Sequence, residues 1–566
     1  MGIFNTVPLL AATLAVASAV IATIPVVDLG YAMHQASLSI VSSHQLFPLH
    51  ILTLIQSNQS NVYYNFSNIR YAAPPLCNLR FSAPVAPLNN RSAGVQDGSY
   101  GNICPNSFTS WQIGALSLNA GASNENEDCL FLDVVVPKSV YDNKSKRGPV
   151  PVLVWFYGGG FTLGSKYSAG NPTGLLDQSL DMQAGGQIWV GFNYRLGAFG
   201  WLNGPTFAKS GTPNAGLYDQ RMALNWVQEH INLFGGDPEQ VTAIGESAGG
   251  GSILHQITAF GGVKAPFQQA ILQSPAFIPT PLINQTETAF EEFLAAANVS
   301  TLAEARTLDT SVLQLANKIT QAKAFYGTFT FGVYLHNQRS FYDFQVNKIT
   351  GPAPDGNFVQ DLPGKLLLEG KYDKSLTVLA AHNTNEAGRY TPPMTTTSDN
   401  FTTYMELYFP QISATTLTYL TQVLFPPVYD GSQPYKTPFE RLDLAISDFT
   451  FTCSTNWLGH AYGNKTHNYI FSVLPGNHTE DVPYTYYNGP ISTVKNDTLA
   501  IILQRYLTGF AESATPNRLG LDHWVEYGKD SKVLNFNQTF VDTRVDVETA
   551  NRRCDWWQKS LYGDDY

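Results

Sequence analysis

The sequence is poor in charged residues. Asp, Glu, Lys and Arg make up 14% of its 566 residues, whereas soluble proteins average roughly 25%. The charges sum to −11 and include no basic run, which argues against nucleic acid or an anionic membrane as a partner. Solubility must then come from uncharged polar groups or from sugar. The expected N-glycosylation candidates are Asn58, Asn65, Asn90, Asn143, Asn284, Asn298, Asn400, Asn464, Asn496 and Asn537, of which we expect several to be used.

Long apolar runs are also scarce, and the one run of membrane-spanning length lies at the start, from Val7 to Ile24. It ends among small residues that offer A-x-A-like cleavage sites, which predicts a signal peptide over residues 1–22 and a secreted chain. No Lys or Arg precedes the run, so an uncleaved signal anchor or retention in the endomembrane lumen stays open. Any other membrane contact would be at most interfacial.

Cysteine is scarce and odd in number, with residues at 77, 104, 129, 453 and 554. In a secreted chain this predicts two disulfides and one leftover thiol, although spacing alone does not pair them. The sequence shows no cluster of metal-ligand residues, and we expect neither a metal nor a cofactor.

Several short apolar runs alternate with helical patterns. Buried strands are predicted over Pro149–Tyr157, Gln187–Tyr194, Leu376–His382 and Asn468–Leu474, and a helix over Leu217–Phe234. This alternation predicts the α/β class, with a mostly parallel central sheet covered by helices on both faces. Since no repeat or linker is evident, we expect residues 23–566 to form a single domain with large insertions.

The motif around which these elements are organised is G-x-S-x-G at Gly245–Gly249. A short apolar strand, Val241–Ile244, leads into it and a helix-compatible stretch follows, which is the context that makes the motif meaningful. The sharp turn strains the backbone of Ser247, and glycines two positions either side relieve the clash. This pattern predicts that Ser247 is a nucleophile.

A nucleophilic serine needs a base and an acid that orients the base, and with this motif they follow the serine along the chain. His478 lies in a loop directly after a predicted strand, and Glu386 lies in another. The rival acids Asp355, Asp361 and Asp373 look like turn residues. The glycines at 158–160 follow a buried strand and could hold an oxyanion with backbone N–H groups, together with the N–H of Ala248.

With these motifs the sequence resembles the type-B carboxylesterase/lipase family, which includes cholinesterases and fungal lipases. The matching stretches are Glu127–Pro137, Tyr157–Phe161, Asn193–Gly197, Gly216–Trp226 and Phe234–Gly250, with weaker matches at Asn383–Ala387 and His478–Tyr484. The resemblance covers nearly the whole mature chain. It implies an α/β-hydrolase fold and a serine hydrolase that cleaves carboxylic esters through an acyl-enzyme.

The resemblance also implies roles for single residues. Ser247, Glu386 and His478 match the catalytic triad, Gly159, Gly160 and Ala248 match the oxyanion hole, and Glu246 matches a buried acid beside the serine. Cys104 and Cys129 match a family disulfide over the active-site mouth. Cys453 and Cys554 match a second disulfide near the C-terminus. Cys77 matches no family cysteine, so it is expected to be the free thiol.

Some features depart from the family pattern or leave the substrate open. Ala387 follows Glu386 where the family usually has glycine, and Trp111 lies nearer the start of its loop than the tryptophan that holds choline. A choline ester is therefore disfavoured. The substrate could be a small-molecule or a lipid ester, and the loop between Cys104 and Cys129 could be a lid or a fixed wall.

Two alternatives stay open at the level of the sequence. One is an acyltransferase or transesterase on a specialised metabolite, and another is a non-catalytic cholinesterase-like binding protein. The oligomeric state is not indicated. Since His478 is the middle residue of a sequon that begins at Asn477, a glycan there would obstruct the site, and we expect Asn477 to be unoccupied.

Overall fold

The structure is a computed structural model that describes residues 24–40, 61–113, 124–279, 283–324, 326–328 and 351–563. The predicted signal peptide at residues 1–22, the sequon at Asn58 and residues 114–123 of the possible lid loop lie outside the described residues.

Strands in the described residues form two sheets. Their bounds are β1 (Val26–Asp28), β2 (Met33–Gln35), β3 (Ser37–Ile40), β4 (Val62–Arg70), β5 (Val95–Gln96), β6 (Phe131–Pro137), β7 (Val150–Phe156), β8 (Ile188–Phe192), β9 (Gly236–Glu246), β10 (Gln269–Gln273), β11 (Thr377–Asn383), β12 (His467–Phe471), β13 (Lys532–Phe536) and β14 (Val541–Val545).

The larger sheet has eleven strands in the order β14-β13-β12-β11-β10-β9-β7-β8-β6-β4-β3. The strands from β8 through β7, β9, β10, β11 and β12 to β13 are parallel to their neighbours, and antiparallel pairs form both edges. A small sheet pairs β1, β2 and β5. The predicted mostly parallel sheet is confirmed, and its parallel part places the carboxyl ends of β9, β11 and β12 along one edge.

Helices in the described residues are α1 (Ser110–Ile113), α2 (Lys138–Asn143), α3 (Thr173–Asp177), α4 (Ala198–Trp201), α5 (Ala215–His230), α6 (Ala248–Ile257), α7 (Ile283–Ala296), α8 (Leu302–Ala305), α9 (Thr310–Ala322), α10 (Pro363–Leu368), α11 (Ser398–Tyr408), α12 (Ala414–Tyr419), α13 (Pro438–Ser447), α14 (Cys453–Ala461), α15 (Val482–Thr485), α16 (Asp497–Ser513) and α17 (Arg552–Gln558). A π-helical turn, Asp448–Thr452, joins α13 to α14.

The central strands are covered on both faces, because every residue of β7, β8, β10 and β12 is buried. This burial explains why β7 and β8 read as continuous apolar runs in the sequence, rather than as alternating patterns. Across the described ranges, no helix combines the length and the apolar character needed to cross a bilayer.

Candidate active site

Ser247 lies on the tight turn between β9 and α6. Its backbone has a φ of +57°, in the left-handed region that is unusual for a residue with a side chain. The turn presses the start of α6 against β7, since a Cβ on Gly249 would lie 2.0 Å from the carbonyl oxygen of Phe156. A Cβ on Gly245 would lie 2.8 Å from the carbonyl carbon of Gly249. Both motif glycines are therefore required by close backbone packing, as the sequence predicts.

The structure brings the three predicted catalytic side chains into one line of hydrogen bonds. His478 Nε2 lies 2.8 Å from Ser247 Oγ, and His478 Nδ1 lies 2.5 Å from Glu386 Oε2. Ser247 follows β9, Glu386 follows β11 and His478 follows β12. All three side chains are buried, with exposed fractions of 7%, 1% and 1%. The line has the geometry of a nucleophile, its base and an acid that orients the base.

Two further donors hold the carboxylate of Glu386. Its Oε1 accepts a hydrogen bond from Ser274 Oγ at 2.6 Å and one from the backbone N–H of Asn383 at 2.5 Å. Burial on its own would raise the pKa of Glu386, but the nearby His478 and these hydrogen bonds outweigh burial and lower it. The acid is thus kept ionised and fixed in orientation. Sequence reasoning missed Ser274, and the only signal for it is its place directly after a strand neighbouring β11.

Glu246 is a second buried carboxyl beside the histidine. Its Oε1 lies 3.3 Å from His478 Nε2 and has no hydrogen-bond partner among the described residues. Burial raises the pKa of Glu246 to about 8. For His478, burial alone would lower the pKa, but the charges of Glu246 and Glu386 raise it overall. The imidazolium form of His478 is therefore stabilised by Glu386, which stays ionised, and by Glu246 only where the pH is high enough to ionise it.

A buried polar network supports the histidine loop from behind. Asp481 Oδ2 accepts hydrogen bonds from Tyr469 Oη at 2.7 Å and from Gln273 Nε2 at 3.1 Å. Gln273 also donates to Thr485 Oγ1 at 2.8 Å. The network ties the loop after β12 to the end of β10, so it fixes the position of His478. It was not predicted, because its members come from distant parts of the chain.

The glycines at 158–160 lie against the nucleophile. A Cβ on Gly158 would lie 2.8 Å from Ser247 Cβ, and a Cβ on Gly159, which has a φ of +119°, would lie 2.2 Å from the carbonyl oxygen of Leu163. Among the described residues, none accepts a backbone hydrogen bond from the N–H groups of Gly159, Gly160 or Ala248. Three N–H groups beside the serine are thus available to a ligand.

An apolar pocket opens at Ser247. It is lined by Gly160, Phe161, Ser247, Ala248, Ala276, Phe277, Ile278, Gly327, Tyr390, Ile446, Thr450 and Phe451. The rings of Phe451 and Tyr390 pack on the imidazole of His478, at centroid distances of 4.4 and 5.5 Å. These aromatic residues lie in the insertions between strands, and no local pattern in the sequence marks them.

The rival acids lie elsewhere, and so does His382, a buried histidine of β11. Asp355 accepts hydrogen bonds from the backbone N–H groups of Asn357 and Val359, and Asp373 accepts from both the N–H and the Oγ of Ser375, so both hold turns as predicted. His382 is buried beside Asp546, 4.0 Å from Oδ1 of that carboxylate. Neither acid nor histidine takes part in the hydrogen-bonded line at Ser247.

Both predicted disulfides are present. The mouth disulfide joins Cys104 to Cys129, and the C-terminal disulfide joins Cys453 to Cys554. Cys77 is free and exposed.

Trp111 lies in the loop closed by the mouth disulfide. Its Nε1 donates to the carbonyl of Thr328 at 2.8 Å, and its ring packs against Tyr326 and Tyr390. Since Tyr390 packs on His478, one aromatic side chain separates the start of this loop from the histidine.

Sequon residues differ in exposure. Asn90, Asn143 and Asn298 are exposed, whereas Asn65, Asn400, Asn464, Asn496 and Asn537 are half-buried. Asn477 is held inside its loop, since its Nδ2 donates to Glu480 and its Oδ1 accepts from Asn385, both at 2.9 Å. This engagement supports the prediction that Asn477 carries no glycan.

Comparison with known proteins agrees with this geometry. A family profile described as the carboxylesterase family matches residues 53–557. The chain is 38% identical to "Carboxylesterase patB" of Penicillium expansum, over 95% of this chain and 96% of that protein. It is 30% identical to a "Secreted lipase" of Arthroderma benhamiae, over 82% and 89% of the two chains. The crystal structure of EstA from Aspergillus niger superposes with a TM-score of 0.76, at 24% identity over 95% of this chain and 99% of that one. The chain belongs to the carboxylesterase family and has the α/β-hydrolase fold.

Proposed function

We propose that this carboxylic ester hydrolase works through an acyl-enzyme formed on Ser247. The observation that carries the proposal is the unbroken line of hydrogen bonds from Ser247 Oγ through His478 to Glu386. In this arrangement His478 Nε2 accepts the proton of Ser247 as the hydroxyl attacks the ester carbonyl carbon. Glu386 holds the other ring proton on Nδ1 and stabilises the imidazolium that forms.

The negative charge that develops on the carbonyl oxygen is held by the N–H groups of Gly159, Gly160 and Ala248. One such donor is typically worth about 10²–10³ in turnover. His478 then protonates the leaving alcohol, which breaks the C–O bond and leaves the acyl group on Ser247. Water, deprotonated by His478, attacks the acyl-enzyme and releases the acid.

The substrate is a carboxylic ester whose apolar part fits the pocket beside Ser247. Relatives bear the names carboxylesterase and secreted lipase, and both names fit a pocket walled by Phe161, Phe277, Tyr390 and Phe451. If an alcohol replaced water in the second step, the same residues would make the enzyme an acyltransferase.

We also propose that the chain is secreted and glycosylated. Residues 1–22 act as a signal peptide, residues 23–566 form one secreted domain, and several of the sequons carry glycans. Two secreted lipases of Arthroderma benhamiae among the relatives support an extracellular location.

A fluorophosphonate probe tests the nucleophile. The folded wild type should be labelled on Ser247, and Ser247→Ala should abolish both labelling and hydrolysis. Ser252→Ala is the matched control, because Ser252 is also a buried serine of the same segment, and its Oγ already donates to the Ala248 carbonyl at 2.7 Å. If the probe does not label Ser247 in the folded wild type, the protein is a non-catalytic binding protein and the proposal is wrong.

Rates on p-nitrophenyl esters of increasing chain length, with and without an oil–water interface, separate the substrate classes. Activation by the interface on long chains indicates a lipase, and fast turnover of short chains in solution indicates a small-ester esterase. Product analysis with a competing alcohol reveals acyl transfer.

A further inference from the structure

Thr450 is the one pocket-lining residue whose buried hydroxyl has no partner among the described residues. Thr450 as a whole is 8% exposed, and its Oγ1 atom is buried away from bulk water. A buried hydroxyl without a hydrogen bond is costly, so such a group in a native structure calls for a partner. The remaining pocket side chains are largely aromatic or aliphatic.

A comparison within the same segment shows that the missing bond is particular to Thr450. Two residues on, Thr452 Oγ1 donates to the Ser447 carbonyl at 3.2 Å, and Thr455 Oγ1 donates to the Thr452 carbonyl at 2.8 Å. Buried threonines in helical segments usually satisfy their hydroxyl in this way. Thr450, in the π-helical turn, does not.

Thr450 is also held close to the reacting groups. Its backbone carbonyl accepts from the N–H of Phe277, which itself lines the pocket, at 3.3 Å. The next residue, Phe451, packs its ring at 4.4 Å on the imidazole of His478. π-Helical turns are rare and often occur at functional sites. The turn therefore fixes Thr450 in the pocket wall beside the triad.

We infer that Thr450 is a specificity-determining residue, and that the preferred substrate carries a hydroxyl or carbonyl oxygen on the apolar group that fills this pocket. A threonine hydroxyl can donate to a carbonyl or accept from a hydroxyl. The inference rests on the proposed function of Ser247, and it distinguishes oxygenated esters from the plain alkyl esters of storage lipids. A pocket with a polar group to satisfy rejects analogues that lack the matching oxygen.

Matched ester pairs test the inference. On the acyl side, p-nitrophenyl butyrate is compared with the p-nitrophenyl esters of 2-hydroxy-, 3-hydroxy- and 3-oxobutyrate. On the alcohol side, benzyl butyrate is compared with hydroxybenzyl butyrates. We expect wild-type kcat/KM to favour an oxygenated member by about 10-fold in one series, which is the value of one buried neutral hydrogen bond.

Three variants assign this preference to the hydroxyl. Thr450→Val should bring the ratio close to one, and Thr450→Ser should restore it. Thr452→Val, whose hydroxyl already has a backbone partner, should leave the ratio unchanged. Thermal unfolding separates the roles further, because Thr450→Val removes an unsatisfied group and should not lower Tm, whereas Thr452→Val should lower it.

A preference of the expected size that is lost in Thr450→Val and regained in Thr450→Ser supports the inference. A wild type with no preference in either series, or a preference that survives Thr450→Val, overturns it while labelling of Ser247 keeps the proposed function intact. Labelling without hydrolysis of any member also overturns it. Absence of labelling and of hydrolysis together would overturn the proposed function itself.

Discussion

Exchange of Glu386 for glutamine should nearly silence the enzyme without unfolding it. In the wild type, Oε1 accepts hydrogen bonds from the Asn383 backbone N–H and from Ser274, and Oε2 faces His478 Nδ1. The backbone N–H can only donate, so the oxygen of the new amide must stay at the Oε1 position. The NH₂ group then points at Nδ1.

That amide donor changes the tautomer of the histidine. Nδ1 must accept from it, so the single ring proton moves to Nε2, which then donates to Ser247 Oγ and can no longer accept the serine proton. The same exchange in a serine protease triad lowers kcat by about 10⁴, which corresponds to about 5.4 kcal/mol at about 1.36 kcal/mol per factor of ten. We expect a loss of this size for Glu386→Gln.

The assay is kcat on a p-nitrophenyl ester, together with the rate of fluorophosphonate labelling and Tm. Asp443→Asn is the matched control, because it removes another carboxyl near Glu386, one that is half-buried and accepts from Thr391 Oγ1 at 3.2 Å. It should keep activity within a few-fold. A folded Glu386→Gln enzyme with more than about a tenth of wild-type kcat would refute the tautomer reasoning.

Three further changes have definite expected outcomes. Gly249→Ala places a Cβ 2.0 Å from the Phe156 carbonyl oxygen, so α6 must move away from β7. Because the Ala248 N–H moves with α6, kcat should fall by about 10²-fold or more. An unchanged kcat would show that the turn accommodates a methyl group. Glu246→Gln removes a carboxyl that raises the pKa of His478 only when it is ionised, and burial raises the pKa of that carboxyl itself to about 8. Since Glu246 is then mostly protonated below pH 8, the acidic limb of the kcat/KM profile should hardly move, and a clear shift of the limb to lower pH would contradict this. Loss of the C-terminal disulfide, whose cysteines are 101 residues apart, should cost about 4.7 kcal/mol of unfolding free energy, against about 3.5 kcal/mol for the mouth disulfide with a separation of 25. Denaturant unfolding of the two Cys→Ala pairs measures the difference, and a larger loss at the mouth disulfide would contradict the chain-entropy account.

Much of the central sheet could be predicted, because its strands are buried on both faces and leave continuous apolar runs. The elbow at Ser247 was predictable because the chemistry of a sharp turn requires glycines at fixed offsets. Glu386 and His478 followed from the order that the motif imposes and from their places just after strands. In each case the controlling contacts are local, or they recur at the same edge of a parallel sheet.

The rest depends on contacts between distant segments. Ser274 reaches Glu386 over 112 positions of sequence, and Gln273 reaches Asp481 over 208. The antiparallel edge strands and the small sheet depend in the same way on pairing partners that no local pattern names. Thr450 belongs to this group as well, because its unpaired hydroxyl is visible only when its surroundings are known.

The separation between the sheet and its insertions has a consequence for how this enzyme could be changed. The proposed reacting groups stand at the ends of β9, β11 and β12, whereas Tyr390, Thr450 and Phe451 come from the chain between β11 and β12. A graft of residues 387–466 from a relative would therefore exchange a large part of the pocket wall, with Ser247, Glu386 and His478 left in place. Substrate selectivity can therefore change by substitutions in this segment while the catalytic residues stay the same.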